Sequence, residues 1–582
     1  MASSDDRPGF WSRTFERQAV AAATPAPGAS GGFDVQPSHL YLTSLAVRDE
    51  QFSFDSGAKD LVDGVNEYTQ AAGRGAGVEA FADAYEKVTK RFLQVWAKSV
   101  MSVGGAAVGF TTTANNYVAA NHASNPKAKG APPQRQPPEV IDRLPAYGPL
   151  AEIKWKGTNA DSDSEFVRDI GQFPDWIADH VEEAIAVVFK TGRCYEITPG
   201  AREDDLRAIA GQWRAVSKSA KGAARGLNEA ISYITDSGNS EWQGAMRIFC
   251  QSIFGTTAWG KARHGQDWRH ANSGSTAGRQ PITAVLSKTA LAVEEACEDV
   301  ARAIVKTRGI TSGVAKDAAW KTVKDIGTDP KKWIGIANPA STAAEVVMIF
   351  RSHMDEPKIN RAIDDYHAAC NLAGNALLKQ MDALDEAYLS APTYRAEAAR
   401  SQAFGSRALN EFKKKQTWNL PDDSKSHRYP IDLASQEWMN NSHSVDKHVG
   451  KDDEQLAQRL RDQNTSSPTQ DWPLGKPKIG AASTFEDMAS AQRLTQHCLD
   501  ENSGVIKSWL EGPPPASDGD PPKDFTSSTP DGSESGRSIS KQEFKNHGMD
   551  AQSHPVDNVK TVLKYDSSLD PPFVVLTSMP AD

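Results

Sequence analysis

The sequence predicts a multidomain chain: mainly α-helical N-terminal modules, built as helical hairpins or bundles, followed by a small α+β C-terminal domain. Three observations predict it. Apolar residues recur at helical spacing through most of the first 415 positions. β-branched runs appear only near the end, at 559–565 and 572–578. The chain has 582 residues, more than the roughly 100–200 that one domain usually holds.

Residues 1–38 are rich in Ala, Pro, Gly and Ser and read as a flexible arm. A helical module is expected over 39–122, where Phe81, Tyr85, Val88, Phe92, Val95 and Val100 make a stripe that asks for a partner helix. Residues 123–148 hold six prolines, among them Pro126, Pro132, Pro133 and Pro145, and read as a linker. Proline removes a donor and clashes with the preceding turn, so helix is excluded there. A second helical module spans 149–275, with Ile177, Val181, Ile185 and Val188 on one face and Asp204 and Asp205 opening the next helix. Its third helix is expected from about Trp242 to Lys261. Long helices fill 276–415, broken by Gly and Pro near 326–340, and 416–435 reads as another linker.

The last part is organised differently. Asp452 to Arg461 predicts a short helix with acids at its start and Leu456 and Leu460 at i,i+4. Ser483-Thr484-Phe485-Glu486 has the form of a capping box and predicts a helix running to about Asp500. Residues 513–533 read as loop. VKTVLKY and PFVVLTS, joined by DSSLDP, predict a β-hairpin.

Composition narrows the function classes. With 39% hydrophobic and 24% charged residues the chain is neither wholly disordered nor embedded in a membrane. No run approaches the roughly 20 apolar residues of a spanning helix, and the first residues lack the apolar stretch of a signal peptide. The formal net charge of -10 argues against coating nucleic acid by bulk charge. Five scattered cysteines without a C-x-x-C pattern point to reduced, buried thiols rather than disulfides or a thiolate metal site. No cofactor is expected.

Trp242-Gln243-Gly244 is a Trp-X-Gly triplet and resembles the Trp-X-Gly (ESX-type) helical hairpins exported by the type VII pathway of Gram-positive bacteria. No Tyr-x-x-x-Asp/Glu export signature follows a hairpin. A more specific resemblance lies in four ordered stretches near the end: HVGK at 448–451, ASTF at 482–485, the Trp-Leu ending at 509–510, and VLT at 575–577. Residues 436–582 are similar to the bacterial RNase A-like toxin domain found at the C-termini of contact-dependent-inhibition and other polymorphic toxins.

That resemblance implies metal-free RNA cleavage through a 2′,3′-cyclic phosphate, with His448 as general acid/base, Arg459 as the cation facing phosphate, and Thr577 donating to a non-bridging oxygen. Lys451, Arg461, Arg537 and Ser578 are auxiliary candidates. The family often carries a Tyr two residues after the Thr; here that position is Met579, which has no proton to give. Ser578, His547 or His554 would have to act in its stead. The implied role is that of a secreted antibacterial toxin acting in a target-cell cytoplasm. Its expected partners are RNA, a cognate immunity protein, and secretion-machine or small helical proteins, with no membrane anchor. Residues 441–582 carry 14 Lys+Arg against 22 Asp+Glu, a balance of -8 that is unusual for an RNA-binding domain. Two other readings stay open. One is an NAD-consuming toxin, with Ser483-Thr484 and Glu543 as its fragments; the other is a non-enzymatic helical protein of a secretion particle.

Overall fold

The computed structural model describes residues 36–156, 193, 196, 200–235, 281–328, 339–411, 426–437, 439–463 and 465–582. The Trp-X-Gly triplet, the helix expected at Trp242–Lys261 and the face built on Ile177 to Val188 lie outside them.

Eight helices make up the described part before residue 412: α1 (Pro37–Asn66), α2 (Ala76–Ser124), α3 (Glu203–Thr235), α4 (Ile282–Thr328), α5 (Pro339–His353), α6 (Glu356–Leu378), α7 (Met381–Ser390) and α8 (Tyr394–Glu411). Their apolar stripes close on one another. The stripe read on α2 is buried throughout, from Phe81 to Val100. Phe92, Trp96 and Trp213 form an aromatic centre with Phe54 of α1. The two indoles keep their polar ends satisfied: Trp96 Nε1 donates to Phe54 O at 2.9 Å and Trp213 Nε1 to Tyr85 Oη at 3.1 Å. One core runs from Leu40 to Ala391 and draws residues from all three segments that the sequence divides into modules, while a second, smaller cluster joins α4, α5 and α6.

The Pro-rich stretch is non-helical, as its prolines require, and is laid along this bundle. Val140, Ile141, Tyr147 and Leu150 pack on the core, and Gln51 of α1 clasps Ile141 through its N–H and C=O. At Gly105 and Gly109 a side chain on α2 would collide with Tyr394 and Ser401 of α8, so two missing Cβ atoms set how close α8 lies.

The C-terminal unit comprises α9 (Leu433–Gln436), a 3-10 turn (Met439–Asn441), α10 (Ser444–His448), α11 (Asp453–Asp462), β1 (Ala481–Thr484), α12 (Met488–Glu501), α13 (Ser503–Glu511), β2 (Lys523–Ser528), β3 (Gly536–Ser540), α14 (Lys541–His547), β4 (His554–Val556), β5 (Asn558–Tyr565) and β6 (Phe573–Ala581). Two antiparallel three-stranded sheets result, ordered β1-β3-β4 and β2-β5-β6. α12 packs Leu494, Cys498 and Leu499 on the second sheet, while Leu456 and Leu460 of α11 pack with Ala482 and Ile539 of the first.

Two expectations are corrected here. Ser483-Thr484-Phe485-Glu486 does not open a helix: Ala481–Thr484 is strand β1, paired with β3, and the helix starts later. Asp487 is its N-cap and reciprocates with Ser490, so the same capping logic operates four residues further on. Residues 513–533 are not all loop, because β2 adds an edge strand to β5. Phe525 is its one buried apolar side chain, too little to show as alternation. The β5/β6 hairpin and α11 form as read. Cys297, Cys370 and Cys498 are free and buried.

Candidate active site

α10 is five residues long and carries His448 at its end, so its placement depends on tethers rather than on helix propensity. Glu437 accepts from the N–H groups of Val445 and Asp446, both at 2.9 Å, and thereby caps the helix from outside it. β6 holds the same helix from the side. His443 N–H donates to Leu576 O at 3.0 Å, and Ser578 N–H donates to Ser444 Oγ at 2.9 Å. At the other end Phe485 N–H donates to His448 O at 2.7 Å, which ties the helix to the exit of β1. Gly450 then turns with φ of 67°, a conformation that favours glycine, and a Cβ there would also strike Arg395 and Ala396 of α8. This accounts for the His-Val-Gly order in the sequence.

The His448 ring is 1% exposed. Its Nδ1 lies 2.9 Å from Ser483 O. A carbonyl only accepts, so Nδ1 carries the proton and Nε2 the lone pair. Burial holds the imidazole well below its usual pKa, and the Arg459 charge adds to this. His448 is therefore neutral at pH 7, the state a general base requires.

Arg459 reaches the same ring from α11. Its Nη1 is 3.2 Å from His448 Nε2, 3.3 Å from Nδ1 and 3.2 Å from Lys447 O. With the proton on Nδ1, the Arg459 Nη1–H donates to the Nε2 lone pair, so a substrate hydroxyl would reach that pair by displacing this bond. Burial lowers the guanidinium to about 10, so it remains charged at neutral pH. Among the described residues, Arg459 Nε and Thr577 Oγ1 are two of the buried polar atoms that make no hydrogen bond. A buried unsatisfied polar atom is costly, so each of these two can take a hydrogen bond from outside the protein.

Thr577 owes its position to a bulge in β6. Val562 pairs with Thr577 but Leu563 pairs with Val575, so Leu576 is an extra residue. Such an insertion re-aims the side chains that follow it. Ser578, on the opposite face, is fully buried and bonded to Thr495 and Thr561 at 2.8 and 3.1 Å. Its hydroxyl is committed to the packing of α12 on β5.

The auxiliary candidates separate from this centre. Arg461 pairs with Asp462 at 3.0 Å. Lys451 and Arg537 line a cleft of about 560 Å3 at the junction with α8, which His448 and Arg459 do not line. Burial pushes the Lys451 ammonium down to about 8, with Arg400 of α8 the next cause. Arg537 donates to Asp453 at 3.2 Å. His547 is exposed on α14. His554 sits on β4 between Asp582 at 2.9 Å and Glu543 at 2.8 Å, which shift it upward. Sequence reasoning missed His443, the residue that ties α10 to the bulge; the turn of three polar residues before it, Asn440-Asn441-Ser442, was the available signal.

Residues 442–580 match the family described as the bacterial CdiA-CT RNAse A domain. No curated protein matches the chain. Among solved structures, the CdiA-CT/CdiI complex from Y. kristensenii 33638 aligns at 20% identity over 24% of this chain and 96% of that one, with a TM-score of 0.18. Over residues 442–580 the chain is thus similar to the bacterial CdiA-CT RNAse A domain, and the long helical region lies outside the match.

Proposed function

We propose that residues 442–580 cleave RNA by attack of a ribose 2′-hydroxyl on the adjacent phosphorus, without a metal, releasing a 5′-hydroxyl and a 2′,3′-cyclic phosphate. The single observation that carries this reading is the His448 imidazole, neutral and fixed in tautomer, in contact with the Arg459 guanidinium. Nε2 takes the 2′-hydroxyl proton. Arg459 and Thr577 Oγ1 donate to the non-bridging oxygens, where charge grows in the phosphorane. Lys447, half-buried beside them, adds positive charge.

On this reading the chain is a secreted antibacterial toxin. The helical region is its delivery part, and a cognate immunity protein covers the site around His448 in the producer cell. An immunity protein that bound only the helical part would contradict this.

Full-length protein incubated with total RNA tests the activity. Cleavage products ending in 2′,3′-cyclic phosphate are expected from the parent. His448→Ala should lose about 100-fold to 10,000-fold, the range of a general base. Arg459→Ala should lose about 100-fold to 1,000-fold, as for one oxyanion donor. Intact RNA with the parent protein would refute the reading.

A further inference from the structure

A 5′-alkoxide leaves poorly without a proton, and Met579 has none to give. Ser578 is locked in the core, and His547 and His554 stand on other elements. We propose that His443 is the general acid of this site, protonating the leaving O5′ while His448 takes the 2′-hydroxyl proton. This rests on the ribonuclease reading above.

Three features of the fold place His443 for that task. It stands at the opposite end of α10 from His448, and its backbone N–H is bonded to Leu576, the residue next to Thr577. The ring is anchored as His448 is: Nδ1 lies 2.8 Å from Asn441 O, so it donates there and leaves Nε2 for chemistry. The carbonyl is aimed by an uncommon turn, in which Asn440 and Asn441 take φ of 48° and 70°. Two successive non-glycine residues in the left-handed region are a strained arrangement, of the kind that clusters at functional sites. Unlike His448, the ring is only partly buried, as the group nearer the departing product should be.

The charges facing His443 are Lys447 and Asp446 on its own helix, Arg459 of α11, and His448. Burial and the two nearest cations hold the ring below its usual range. A bound phosphate reverses that bias by supplying negative charge beside Arg459.

The step balances. The 2′-oxygen–phosphorus bond forms and the phosphorus–O5′ bond breaks. One proton passes from the 2′-hydroxyl to His448 Nε2, and one from His443 Nε2 to O5′. Solvent exchange restores both rings.

The test uses full-length protein and one oligoribonucleotide in two forms. One is the natural strand; the other carries sulfur in place of O5′ at the linkage the parent cuts. A thiolate leaves without a proton. His443→Ala and the near-isosteric His443→Asn should each lose about 100-fold or more in kcat/KM on the natural strand. They should lose less than about fivefold on the sulfur strand, and the alkaline limb of the pH profile should vanish. His448→Ala should fail on both strands. Equal losses on both strands would make His443 a structural residue, and unchanged cleavage of the natural strand would remove it from the reaction. If Lys447→Ala, rather than His443→Ala, gave the sulfur-rescued pattern, the ammonium would be the acid. A parent protein that cuts neither strand refutes the ribonuclease reading itself, which separates the two failures.

Discussion

His448 is useful because it is buried. Water that would stabilise the imidazolium is excluded, and Arg459 opposes a second positive charge. NMR titration should show His448 neutral well below pH 6.5, with Nδ1 protonated. The linkage has a definite sign. Below about 6.5 the unfolded histidine binds a proton that the folded one refuses, so this group's contribution to stability falls as pH falls through that window. Glu437 tilts the other way: burial raises it to about 8, so its contribution is greatest below the unfolded value and is lost as pH rises toward 8. Urea unfolding of the parent and His448→Gln, compared from pH 5 to 7, should therefore give curves that diverge toward low pH, with the variant gaining in relative stability. Parallel curves would mean the ring is solvated.

At the scale of elements, the bulge at Leu576 decides which hydroxyl serves which purpose. Thr577 and Ser578 are neighbours in sequence, yet successive strand residues face opposite ways. One supports α12, and the other presents an unpartnered oxygen. Thr577→Val keeps the β-branched shape and should leave the melting temperature within about 2 °C while lowering kcat about 10-fold to 100-fold, the worth of one charge-assisted hydrogen bond. Deleting Leu576 should remove the bulge, exchange the two faces and cost both activity and stability, since a one-residue slip turns the following side chains over. The elements most legible in the sequence were the α2 stripe and Leu456 and Leu460 on α11, which have a period, and β5 and β6, which are β-branched runs joined by a turn-rich stretch. β3 was read from Gly536-Arg537-Ser538, but β1 and β4 were not legible, because strands of three or four residues carry too few alternations to distinguish from loop.

Across the whole molecule, the helical region grips the segment that follows His448. Lys98 of α2 pairs with Asp452 at 2.6 Å, and Thr393 bonds Gly450 O. Arg400 of α8 joins Glu397 at 2.7 Å and Asp446 at 3.3 Å, all three nearly inaccessible. Arg400→Ala would leave Asp446 buried without its cation beside Glu397, which burial already raises to about 8, and should cost about 3–5 kcal/mol of stability by denaturant unfolding. Arg395, whose pair with Glu486 is half-exposed, should cost no more than about 1 kcal/mol when replaced by Ala. If the two variants lost the same, the junction would be solvated rather than a packed interface.

The sequence by itself determined the long helices, the proline-enforced strap, the final hairpin, and the spacing of eleven residues that sets His448 and Arg459 on successive elements. These follow from local rules, since period, capping and proline geometry act within a few residues. Tertiary structure alone decided the tautomer of His448, fixed by a carbonyl 35 residues away, and the bond from Ser578 N–H to Ser444 that ties β6 to α10. It also decided the shared core of the helical segments and the burial that keeps one imidazole neutral. These depend on which surfaces exclude water together, and that is settled only when distant parts of the chain pack.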